Sequence, residues 1–311
     1  MESFRIAIAS VLVMLFYMVP GYIIRKMGRA RPEHLPTISA ILVYIGTPFL
    51  LISAFMSLEF SWELVTEMAW FFAVTFVLQV AFLLILFCIF KKLKRIEDAK
   101  YRVMSIGSIV GNVGFFGMPV LRSLFPDSPE VACYSAMFML SMNVIVFTVG
   151  VFCLTKEKKY ISLRAAFINP TMLGFAIALP IYFLGLARYF PEALTNAIGA
   201  MGSLTAPLCM FILGIRLASA PVKRIFCDFR VYVTAFLKLL VFPLFCYACV
   251  YFLPFSEAFR GSVLILSGMP CAAVLLSLAE MHKKETEMSA NCIFVSTMAC
   301  FLTVPLLALL L

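Results

Sequence analysis

Apolar residues in this chain fall in long, nearly uninterrupted runs, and polar residues collect in the short gaps between them. A helix needs about 20 apolar residues to cross a bilayer. By that measure the pattern predicts spans at 4–24, 37–57, 69–90, 101–124, 131–155, 165–186, 194–218, 232–253, 259–279 and 288–310. The expected fold is an all-α polytopic membrane protein with ten transmembrane helices.

Two of these runs cannot be continuous helices. The fourth contains Gly111-Asn112-Val113-Gly114-Phe115-Phe116-Gly117-Met118-Pro119, a stretch whose glycines and proline disfavour helix. The ninth is interrupted by Ser267-Gly268-Met269-Pro270. In lipid, a broken backbone is tolerated only where protein or a cavity receives its freed polar groups. Transporters build substrate sites from such breaks. A glycine-rich packing seam is the competing reading, and the second break weighs against it. Pro119 is expected to open the second half of the fourth span. After Pro270, the small residues Cys271, Ala272 and Ala273 are expected to leave amides open to an anion. If the two breaks cross, both helix ends and the Asn112 amide surround one small volume.

The breaks also belong to a repeat. Thr47-Pro48 corresponds to Ala206-Pro207, Met118-Pro119 to Met269-Pro270, and Ser141 to Ser296, with offsets between roughly 150 and 160 residues. The order of these matches predicts two inverted five-span halves, 1–155 and 165–311, joined by a connector at 156–164.

Lysine and arginine alternate between connections. The odd ones carry Arg25 and Lys26, then Lys91 to Arg95, Lys156 to Lys159, Lys223, Arg224 and Arg230, and finally Lys283 and Lys284. The even ones carry little beyond Arg122, Arg188 and Arg260. The positive-inside rule makes the odd loops cytoplasmic and puts both termini outside a cell membrane.

Composition agrees: 63% of residues are hydrophobic, 13% charged, and mean hydropathy is +1.04. The net charge of +9 sits in short loops, where it reads as topology and not as a nucleic-acid surface. The first run ends in basic residues without a small-residue cleavage site, so no cleavable signal peptide is expected. Of the 10 cysteines only Cys246 and Cys249 have CxxC spacing, and they lie inside an apolar run, so the cysteines read as packing residues. His34 and His282 fall in loops, so no metal site, cofactor or catalytic base is expected.

Polar residues inside the spans are the remaining candidates. Lys238 is either a countercharge for an anion or a side chain snorkelling to the interface. Gln79 is its counterpart in the third span. Asn143, Ser141, Ser296 and Thr297 either line the crossover or bond helix to helix. No Asp or Glu lies deep in a span, which disfavours coupling through a buried acid and leaves the coupling ion open. A channel would need more polar positions per span, a sensor would need a soluble domain, and an intramembrane enzyme would need a base at depth.

Taken together, Gly111-Asn112-Val113-Gly114, Met118-Pro119, Asn169-Pro170, Ala206-Pro207-Leu208, Leu213-Gly214, Gly268-Met269-Pro270 and Thr303-Val304-Pro305 resemble the auxin efflux carrier family over essentially the whole chain. The resemblance implies crossover helices four and nine. It also implies a scaffold of spans 1, 2, 6 and 7 flanking an elevator-like transport part of spans 3–5 and 8–10, in a homodimer. The implied substrates are small organic anions such as carboxylates, with Asn112 at the position that contacts substrate carboxylate. The long central loop of the plant carriers is absent here, so regulation through it is not implied.

Overall fold

The computed structural model describes residues 2–219 and 228–311, and among these the regular structure is helical. Lys223 and Arg224 lie outside the described residues. Among the described residues seven helices are long and apolar enough to cross a membrane: α1 Glu2–Lys26, α2 Pro32–Met56, α3 Trp62–Lys92, α6 Val131–Thr155, α8 Glu192–Ser219, α9 Phe229–Tyr251 and α12 Thr286–Leu310. Between them lie α4 Ala99–Gly107, α5 Val113–Leu124, α7 Pro170–Phe183, α10 Glu257–Ser267 and α11 Val274–Met281. Large apolar side chains such as Leu12, Phe16, Trp70, Val77 and Leu302 stay exposed along the long helices, as lipid-facing positions would.

Capping residues mark where the helices begin. Ser61, Asp98, Asn169, Asp228 and Ser256 each accept a backbone N–H from the first turn of α3, α4, α7, α9 and α10. The sixth predicted span is shorter than expected for this reason. Asn169 caps and Pro170 occupies the first position, so Leu163–Phe167 is a separate short helix and α7 has 14 residues.

Three prolines sit just beyond single wide turns. The π turns Leu42–Gly46, Val113–Gly117 and Leu237–Val241 are followed by Pro48, Pro119 and Pro243. A proline ring collides with the carbonyl four residues back, and the extra residue of a π turn relieves that clash. The helix therefore passes through Pro119 instead of starting there. The second half of the fourth run opens at Val113, several residues earlier than the sequence suggested.

Contacts between connections sort them to two ends. At one end Arg230 pairs with Asp98 (3.2 Å) and Asp228, while Lys100 lies 3.8 Å from Asp228. The same end holds the Lys156–Glu97 pair, the Tyr160–His282 ring contact and the Arg25–Ser219 hydrogen bond. All are in or beside the odd connections. At the other end the Tyr182 hydroxyl meets Ser61, and Ser256 donates to Glu67.

The helices approach most closely where side chains vanish. A Cβ on Gly21 of α1 would stand 2.1 Å from the Phe211 carbonyl oxygen of α8. A Cβ on Gly214 would stand 2.1 Å from that of Met18. The two backbones touch, as small-residue seams allow in membranes.

Candidate functional site

The two interruptions meet in the interior. Between α4 and α5 the chain leaves helical geometry at Ser108–Asn112, and between α10 and α11 at Gly268–Ala273. Gly111 and Cys271 form an isolated antiparallel bridge. Asn112 N–H donates to the Pro270 carbonyl at 2.8 Å, and Ala272 N–H donates to the Val110 carbonyl at 3.3 Å. Each break thus satisfies freed backbone groups of the other, which is what a non-aqueous interior demands. Cys271 N–H donates to the Ser296 hydroxyl (2.9 Å), and Gly111 N–H points at the Met142 thioether (3.3 Å). The amides of Cys271 and Ala272, expected to be open, are therefore taken up within the protein. Crossing the breaks satisfies these two amides, while Ala273, the third small residue after Pro270, stays at an exposed position.

Lys238 reaches this crossing from the π turn of α9. Its side chain is fully buried, and Nζ donates to the Ser267 carbonyl at 2.6 Å. The ammonium lies 4.9 Å from the centre of the Phe242 ring. It reaches in because residue 111 has no side chain: a Cβ there would stand 3.0 Å from Nζ. Lys238 does not snorkel to an interface, and it forms no salt bridge with a described residue.

The structure brings Gly111, Asn112, Met269, Pro270, Cys271, Ala272 and Lys238 together. Met269 is buried and packs its side chain on Gly117. Asn112 is half-buried, and its amide N–H lies 3.6 Å from the Cys209 sulfur of α8. Gly114, Met118 and Pro119 are not brought to the bridge, because α5 has already begun. Gly114 faces Met139, and Met118 packs with Leu50, Ala54 and Ala132. Pro119 is half-buried in α5, its carbonyl accepting from Ser123. Gln79 bonds to the Ser141 hydroxyl (2.8 Å) and the Thr75 carbonyl (3.0 Å), so it links α3 to α6. Because Thr75 offers only an acceptor there, the amide orientation is fixed, and Oε1 is left without a partner among the described residues. Asn143 is largely buried, and among the described residues no hydrogen bond joins its side chain to the crossing. Sequence reasoning missed Met142, Cys209 and Ser135, whose hydroxyl donates to the Val113 carbonyl. The two sulfurs carried no signal beyond ordinary packing residues.

A cavity of about 320 Å3 lies elsewhere, lined by Tyr247, Tyr251, Glu257, Arg260 and the last two leucines. Arg260 there donates to the Tyr251 carbonyl, and Glu257 opposes an anion, so the crossing has the better chemistry for one. Among the described residues no three His, Cys, Asp or Glu side chains are grouped as metal ligands.

Known proteins match this chain nearly end to end. An uncharacterized transporter of Methanocaldococcus jannaschii is 25% identical over 306 residues, covering 95% of this chain and 96% of the relative. An uncharacterized transporter of Methanothermobacter thermautotrophicus is 24% identical over 306 residues, covering 96% of each. The model of a membrane transport protein family matches residues 6–308, a range that includes both breaks and Lys238. The chain belongs to that membrane transport protein family, the family of the auxin efflux carriers.

Proposed function

We propose that the protein is a secondary transporter of small organic anions such as carboxylates, working by alternating access. The observation that carries this reading is the buried Lys238 ammonium at the crossing, which has a carbonyl and a ring face but, among the described residues, no acid paired with it. Taking an ammonium out of water costs several kcal/mol, and these neutral partners return part of that. An entering carboxylate supplies the missing charge, and the Asn112 amide can donate to it.

The arrangement favoured is ten spans in two inverted halves, with α4–α5 and α10–α11 as the crossover spans. Its support is the bridge itself: with Gly111 and Cys271 taken as counterparts, in place of the Met118-Pro119 and Met269-Pro270 match read from the sequence, exchanging each residue for its counterpart turns the Asn112–Pro270 bond into the Ala272–Val110 bond. The first, second, sixth and seventh spans, α1, α2, α7 and α8, form the scaffold. The rest move as an elevator within a homodimer in the cell membrane. The end bearing the odd connections is cytoplasmic, and both termini are outside.

The test is a melting screen of the purified protein against carboxylates, amines and neutral solutes at fixed ionic strength, followed by flux into vesicles. A ligand at 100 times its Kd stabilises by about 2.7 kcal/mol. A carboxylate is expected to raise the melting temperature and to be transported. Stabilisation and flux with amines or neutral solutes alone would overturn the reading.

A further inference from the structure

Helix α10 ends in the interior of the molecule, at Ser267. The last carbonyls of a helix have no following turn to bond and carry its partial negative charge. In broken membrane helices such ends, with unwound carbonyls, are where transporters coordinate a coupling cation. Here Gly268 N–H closes onto the carbonyls of Leu264 and Ile265, and the Ser267 carbonyl accepts from Lys238 Nζ at 2.6 Å. The face of Phe242 lies 4.9 Å from the same ammonium. A carbonyl oxygen and an aromatic face are partners that suit a desolvated monovalent cation. The bare backbone at Gly111 leaves the space for the ammonium head.

The matching end of the other broken span is built differently. At α4 the Gly107 carbonyl lies 3.3 Å from the Cys271 thiol, and the counterpart of Lys238 is the uncharged Gln79. One helix end of the pair therefore holds a positive charge and the other does not.

We propose that Lys238 is a tethered cation: its ammonium fills the position at the end of α10 where a free coupling ion would otherwise bind, so this protein needs no sodium. The consequence for transport rests on reading the crossing as the transport site. The ion position itself stands on the geometry of Ser267, Phe242 and Gly111.

The experiment compares melting of the purified protein in the chlorides of sodium, potassium, methylammonium and choline at equal concentration. The parent protein is expected to melt at the same temperature in all four. Lys238→Ala removes the ammonium and opens space beside the Ser267 carbonyl. It is expected to melt lower in choline and to regain at least half of the loss, saturably, in sodium or methylammonium. Lys238→Met fills the space without charge and is expected to be insensitive to the cation. Lys238→Ser repeats the small-residue arm if the alanine variant does not fold. Sodium stabilising the parent over choline would overturn the proposal. So would a folded small-residue variant that responds to none of the small cations. Chloride is constant and no carboxylate is present, so a negative carboxylate screen and a negative cation result remain distinguishable.

Discussion

At Gly111 the backbone N–H points at the thioether of Met142, whereas at Cys271, its partner in the bridge, the N–H donates to the hydroxyl of Ser296. The neighbouring positions differ in the same way. The first break is followed by Asn112, half-buried against Cys209, and the second by the small, buried Ala272. Behind one end stands Lys238 on the Ser267 carbonyl; its counterpart Gln79 holds Ser141 and Thr75. The two breaks thus share a backbone solution and divide the chemistry. Pairing of carbonyls and amides is imposed on both by burial. Charge and the polar amide that faces α8 are assigned unequally, and on the proposed function that inequality is the source of ligand preference.

Exchanging charge at the two counterpart positions gives the largest expected effect. Lys238→Met should weaken a carboxylate identified in the screen by about 1–4 kcal/mol, the range for a Coulomb partner at intermediate dielectric. Gln79→Met should leave that affinity unchanged and cost stability only, through its lost bonds to Ser141 and Thr75. Titration of both variants checks this. Equal losses of affinity would mean that the two halves contribute alike.

A smaller effect is expected at Asn112. Among the described residues its side chain has one hydrogen-bond contact, a sulfur 3.6 Å away and a weak acceptor, so the side-chain amide is poorly tied in the unliganded protein. Asn112→Ala should lower carboxylate affinity by about 1.5–3 kcal/mol, as for a hydrogen bond to a charged group, and leave unliganded melting nearly unchanged. A large melting loss with intact affinity would make Asn112 a structural tie instead.

Much of this is legible in the sequence because glycine and proline mark breaks and about 20 apolar residues mark a span. Both break positions follow from that, but the start of the sixth span does not: the apolar run placed it at 165, whereas Asn169 and Pro170 begin the helix. Pro119 misled because a proline reads equally well as the first residue of a helix or as one carried past a π turn, and the choice depends on the turn before it. Lys238 could not be assigned from spacing. Its long stem reaches either an interface or the interior, and the deciding feature is the empty space at Gly111 on another span. The sulfur contacts of Met142 and Cys209 were invisible because the same residue types fill cores throughout the chain.

The finest comparison concerns which break is held more firmly. Ser296→Ala takes the acceptor from the buried Cys271 N–H, and leaving such a donor unsatisfied costs about 1–3 kcal/mol. Met142→Leu keeps the volume and removes a sulfur acceptor, so its cost should stay under about 1.5 kcal/mol. Melting of the two variants without ligand checks the order. The same asymmetry should appear without mutation, since an amide closed by a weak acceptor opens more readily than one closed by a hydroxyl. Hydrogen exchange should then be faster at Gly111 than at Cys271, and a bound carboxylate should slow exchange on the Gly111 side more. Equal costs and equal exchange would mean that the mutual Asn112–Pro270 and Ala272–Val110 bonds hold the crossing alone. Faster exchange at Cys271 would put the looser half on the Lys238 side and reverse the assignment of which break yields to the ligand.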